Sequence, residues 1–224
     1  MSSGSCHRTG RLVLAGLLLA GSGCAAETYR GFTIDDVQVQ GMPGITAILA
    51  ATREQVDIVH AVGLPTDALA LLQGVTFQLV PDGTFPRPTP GQYGNGRVRV
   101  SSAVIGVRHK PVLLHELMHA YHDRKLAQGF ANPEILTLFR QARGLPAFAV
   151  QSHMMQNEKE YFACAATTYL YGTTAQEPFH REKIKREQPA LHAYLQKLFG
   201  PAAGKYEGSL ERFQPEANET PADP

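Results

Sequence analysis

The sequence predicts an α+β domain, and three observations point there. Short β-branched or alternating segments are confined to residues 32 to 107, whereas segments with helical apolar spacing dominate from residue 110 onward. The chain has 224 residues, 43% of them apolar and only 18% charged, enough to bury one ordinary core.

Phe32 to Val39 alternates and is β-branched, so a first strand is expected there. Ile45 to Val62 follows with Ile45, Ile48, Leu49, Val56, Val59 and Val62 on one helical face, and Gly63 ends it. Pro65 to Gln73 reads as a short helix opened by Pro65 and Thr66, and Val75 to Val80 as a second strand. Pro81 to Gly96, with four prolines and four glycines, reads as a loop. It feeds the strict alternation Arg97-Val98-Arg99-Val100-Ser101, a half-exposed strand and the expected sheet edge; Ala103 to Val107 is expected to extend or pair with it.

Beyond Lys110 the pattern is helical. Pro111 suits a first turn, and Val112, Leu113, Leu117, Ala120 and Leu126 supply a buried face. Further helices are expected over Pro133 to Ala142, Gln156 to Tyr171, Phe179 to Glu187 and Ala190 to Phe199. Residues 201 to 224, rich in Pro, Gly and Glu, read as a loosely held tail after a single domain over 27 to 200.

Residues 1 to 26 read as a signal segment. His7, Arg8 and Arg11 form a basic start, Leu12 to Ala20 is an apolar run too short to span a bilayer, and small residues follow. Ala20-Gly21-Ser22-Gly23-Cys24 resembles a relaxed lipobox and favours lipidation at Cys24, while Cys24-Ala25-Ala26 also suits an ordinary signal peptidase. The expectation is an exported chain, periplasmic or anchored to the envelope through a lipid on Cys24, and otherwise secreted. No other membrane attachment is expected. Cleavage before Cys24 removes two arginines and no acid, turning the formal charge from +1 to −1. With no long Lys/Arg block either, the chain lacks the electrostatic footprint of a nucleic-acid binder. Cys6 leaves with the leader and Cys24 lies at the cleavage point, so Cys164 has no disulfide partner in the mature domain.

Chemistry concentrates in His115-Glu116-Leu117-Met118-His119, an H-E-x-x-H pattern inside an expected helix. Residues four apart share a helical face, so two imidazoles can reach one zinc ion with Glu116 beside it as the base that takes a proton from water. Two buried histidines next to a buried Glu would be costly without a metal. A third ligand is required. Lys125 stands where a metzincin has its third His, leaving a carboxylate from Glu134, Glu158, Glu160, Glu177, Glu182 or Glu187. Helical packing favours Glu160, because Ala163 and Cys164 one turn later allow close approach to the metal helix, whereas Glu158 stacks above Tyr161 and Phe162.

The run Asn157-Glu158-Lys159-Glu160-Tyr161-Phe162-Ala163 after such a helix resembles the catalytic domain of anthrax toxin lethal factor and its bacterial relatives, which are gluzincin-type zinc metallopeptidases. The likeness spans residues 97 to 200, including Gln188-Pro189-Ala190 before a closing helix. It implies a zincin-like domain, a small antiparallel sheet with an edge strand over a helical metal site, acting on peptide or protein substrates. It also implies Glu160 as third ligand, and it places His153 where relatives carry a tyrosine near the metal, in the role of oxyanion donor. Cys164 departs from the family, which has an acid there supporting the ligands. His122 and Asp123 are candidate partners for the metal-binding imidazoles. A zinc-binding envelope module without activity, or hydrolysis of a non-peptide bond, would use the same residues. Retention of Glu116 speaks against the inactive module, because water activation specifically needs that carboxylate.

Overall fold

A computed structural model of the chain describes residues 26 to 86 and 89 to 202. The expected leader with Cys24 and nearly all of the expected tail lie outside the described residues.

The domain is α+β, as expected. Five strands, β1 (Glu27–Tyr29), β2 (Phe32–Asp35), β3 (Thr76–Val80), β4 (Gly91–Gly94) and β5 (Arg97–Ser101), form one sheet in the order β1-β2-β3-β5-β4. Its pairing is mixed, which corrects the antiparallel expectation. β1–β2 and β4–β5 are antiparallel hairpins, while β2–β3 and β3–β5 run parallel. The cause lies in the connections. Helices α1 (Ile45–Ala61) and α2 (Thr66–Gln73) separate β2 from β3, and a helical crossover returns the chain parallel.

Both hairpins turn on two residues with positive φ, Arg30-Gly31 (46° and 82°) and Asn95-Gly96 (49° and 72°), the geometry that matches strand twist. Thus part of the expected Pro81 to Gly96 loop is strand β4. It pairs outside β5, so the sheet edge is Gly91–Gly94 and not Arg97–Ser101. The alternation in β5 is nevertheless as expected, with Val98 and Val100 buried. Ser102–Val107 is a 3-10 helix and not a strand, so only Val104 of that segment reaches the core.

Five more helices follow: α3 (Val112–Lys125), α4 (Pro133–Arg143), α5 (Glu158–Tyr171), α6 (Arg181–Glu187) and α7 (Pro189–Phe199), with a single 3-10 turn at His153–Met155 before α5. α3 lies against β4 and β5 on one side and packs on α1 and, most extensively, α5 on others. Both α3 and α5 are buried nearly all round, as helices at the centre of a domain must be: Tyr161 through Tyr171 are all buried. Cys164 and its alanine neighbours at 163, 165 and 166 permit that close approach.

The start of α3 is anchored from another element. Gln55 of α1, fully buried, donates from Nε2 to the carbonyls of Arg108 and Lys110 at 2.6 and 2.7 Å, and its Oε1 accepts the Leu113 N–H at 3.0 Å. One of the helix's orphan amides is satisfied this way. At the other end, Tyr93 Oη donates to Asp123 at 2.7 Å and Arg124 donates to the Gly96 carbonyl, clamping the β4–β5 hairpin onto α3.

Candidate metal centre

His115 and His119 project from one face of α3 with their Nε2 atoms 3.2 Å apart. Glu160 arrives from the first turn of α5, its Oε2 3.2 Å from His115 Nε2 and 3.3 Å from His119 Nε2. That turn is set by Asn157, whose side-chain oxygen accepts the N–H groups of Lys159 and Glu160, each at 3.0 Å. The Asn of the Asn-Glu-x-Glu segment is therefore an N-cap that fixes where Glu160 points. His153, from the 3-10 turn just upstream, brings its Nε2 to 2.9 Å from the same Oε2.

The donor set fits a metal. Three ring nitrogens crowd one carboxylate oxygen, yet Oε2 accepts no well-aligned hydrogen bond from any of them. Ligands about 2.0–2.1 Å from a tetrahedral zinc lie about 3.3–3.4 Å apart, close to the 3.2–3.3 Å that separates the donor atoms of His115, His119 and Glu160. Cys164 brings its sulfur within 4.8 Å of the ligand atoms of His115, His153 and Glu160. Burial pushes its thiol well up. His119, tighter and on the helix face of His115, completes the set better.

Electrostatics divide the two carboxylates. Burial alone would raise Glu160, but the imidazoles around it outweigh this and hold its carboxyl well below the usual range. Glu160 in turn raises His153. Glu116, only 6% exposed, is pushed up to about 7, chiefly by burial, with the nearby Glu160 adding and His115 and the Tyr93 backbone N–H opposing. A carboxylate poised near neutrality is suited to taking and returning a proton.

A cavity of about 620 Å³ opens over the cluster, lined by His115, Glu116 and His153, with Thr89 and Pro90 before β4 on one side and Thr174 to Glu177 on the other. His153 thus shares the cavity with Glu116. None of the other candidate carboxylates joins the cluster, although Glu177 lines the cavity. Glu177 is buried with both oxygens held by Lys183 at 2.7 and 2.8 Å, and Glu187 pairs with Arg186. Glu134 and Glu182 are exposed on α4 and α6, and Glu158 opens α5 without joining the cluster. Neither candidate partner for the imidazoles serves that way by any contact seen: Asp123 binds Tyr93, and His122 is fully buried between Phe130 and Phe162 with both ring nitrogens unpartnered. Sequence reasoning missed Gln55, Asn157 as a cap, and β4; the last two carried readable signs, Asn157 followed by Glu160 three residues on before an apolar run, and the dipeptide Asn95-Gly96.

No protein-family model matches the chain, and no curated protein matches it in sequence. Among solved structures, the PRO-PRO endopeptidase (PPEP-2) from Paenibacillus alvei superposes over 75% of this chain and 96% of its own, with 20% identity and a TM-score of 0.47. Similarity at that level leaves the chemistry to be read from this chain's own residues. The likeness to the lethal factor domain stays a likeness of motif.

Proposed function

We propose that this chain is a zinc-dependent peptidase, with His115, His119 and Glu160 as metal ligands and Glu116 as the base. The observation that carries the reading is the convergence of two Nε2 atoms and Glu160 Oε2 within 3.3 Å of one another, beside a buried carboxylate poised near neutrality. Zinc held there would act as a Lewis acid and lower the pKa of water toward about 7. Glu116 takes the proton of the attacking water as the new C–O bond forms and the carbonyl oxygen takes up the charge, and then returns it to the amine nitrogen as the peptide C–N bond breaks. His153, whose raised pKa favours a protonated donor, faces the cavity where the carbonyl oxygen gains charge. The substrate is an extended peptide crossing the cavity beside edge strand β4. The leader's pattern supports action outside the cytoplasm, at the envelope or beyond, and mass spectrometry of the mature N-terminus tests it: a start at a lipidated Cys24 or near Ala25 is expected, and an intact Met1 would refute export.

A second reading has its own support. With Nε2 at 2.9 Å from Glu160, His153 would make a fourth protein ligand, and four protein ligands close a zinc site to water. That describes a zinc-binding envelope module without activity. Hydrolysis of unfolded casein by the zinc-loaded chain, with and without chelator and beside Glu116→Gln, separates the two. The peptidase reading expects chelator-sensitive cleavage that Glu116→Gln abolishes; zinc-loaded protein that cleaves neither casein nor mixed peptides favours the closed site.

A further inference from the structure

Gly91 is where the edge strand meets the proposed base. A β-carbon on Gly91 would stand 2.8 Å from both Cγ and Oε1 of Glu116 and 3.0 Å from Cγ1 of Val112, too close for any side chain unless Glu116 moves. Nothing in the backbone demands glycine here, because Gly91 is not among the residues with positive φ. Its missing side chain serves space alone.

The strand's register explains the contact. The Pro90 carbonyl accepts the Ser101 N–H at 2.9 Å, so positions 90, 92 and 94 face β5, while Gly91 and Tyr93 turn their backbone groups outward. One of those outward groups is engaged within the chain, the Gly91 carbonyl accepting the Thr89 hydroxyl at 2.9 Å. Val112, on the other side of the gap, opens the helix that carries Glu116.

We propose that Gly91 is a positioning residue for hydrolysis, leaving the space in which Glu116 rests against the edge strand beside the His115, His119 and Glu160 cluster. Its catalytic consequence rests on the peptidase reading; the contact itself does not. Both are therefore measured on the zinc-loaded full chain. Gly91→Ala is expected to lower Tm by about 2–8 °C, and most of that loss should vanish in a Glu116→Ala background, where the clashing side chain is gone. Turnover of unfolded casein should fall on the order of a hundredfold through misplacement of the base, with KM and zinc content unchanged. Gly106→Ala, outside the strand and with nothing within 4 Å of its added carbon, should alter neither. A Gly91→Ala chain that folds only together with Glu116→Ala would support the proposal equally. Equal loss of stability in both backgrounds, or unchanged kcat in Gly91→Ala, would overturn it. If the unmodified chain cleaves nothing, the peptidase reading fails while the thermal comparison still decides the contact.

Discussion

Glu116 and Glu160 are both carboxylates within reach of the same imidazoles, and their surroundings give them opposite work. Glu160, ringed by three imidazoles, stays ionised as a ligand must, whereas Glu116, buried against Gly91, sits near neutrality. Glu116→Gln should therefore keep its zinc and lose hydrolysis, since an amide preserves shape and cannot take the proton; full activity in that variant would refute the proposed water activation. His153→Ala should lower turnover by about ten- to a thousandfold at unchanged zinc content if the imidazole serves the oxyanion. A fall in zinc affinity instead would identify it as a fourth ligand. His122 bears on stability. Burial lowers its pKa from 6.5 to about 4, and both ring nitrogens lack partners. Above pH 6.5 it is neutral folded or unfolded and contributes nothing to pH dependence. As pH falls below 6.5 the unfolded chain takes the proton first, so stability drops by about 1.4 kcal/mol per pH unit until about pH 4. Denaturant titrations from pH 7 to 4 should show this slope reduced in His122→Leu, and an identical slope in the variant would contradict the assignment.

Elements deliver these residues through their ends. Asn157 caps α5 one turn from Glu160, and Gln55 pins the start of α3 one turn before His115. Asn157→Ala should cost about 1 kcal/mol, a fall in Tm of about 2–4 °C, and should weaken zinc binding by loosening the turn that aims Glu160; a stability loss with zinc affinity untouched would limit Asn157 to capping alone. α3 and α5 are buried nearly all round and so carry little apolar periodicity; they were legible from the length of their apolar content and from Pro111 opening the first of them. The sheet was legible only in part. Parallel pairing is set by which element pairs with which, and no local pattern in β2 or β3 records that. β4, Gly-Gln-Tyr-Gly, has almost no β-forming side chains, and it is held as a strand by the Asn95-Gly96 turn and by Tyr93 on Asp123. Ala103 to Val107 failed in the opposite sense: its apolar content suits a strand, but the chain must turn there to enter α3, and it does so as a 3-10 helix.

At the scale of the molecule, the sheet and two buried helices form a frame in which ligands from α3 and α5 meet beside a glycine on the sheet edge. The H-E-x-x-H string made two of the proposed ligands readable. For the third, packing and the family resemblance already favoured Glu160 among six acids, and the fold brings that residue to both imidazoles while Glu177 is held by Lys183 and Glu187 by Arg186. Burial of that donor set at the meeting of two central helices ties metal binding to folding, so bound zinc should raise Tm in proportion to the logarithm of its excess over Kd. The most direct test is the zinc content of the purified chain, measured together with His115→Ala, Glu160→Ala and Glu116→Gln. The account predicts close to one zinc per chain in the unmodified protein and in Glu116→Gln, and a large loss in the two ligand variants. Zinc near zero in the unmodified chain, with no rise in Tm when zinc is added, would contradict it.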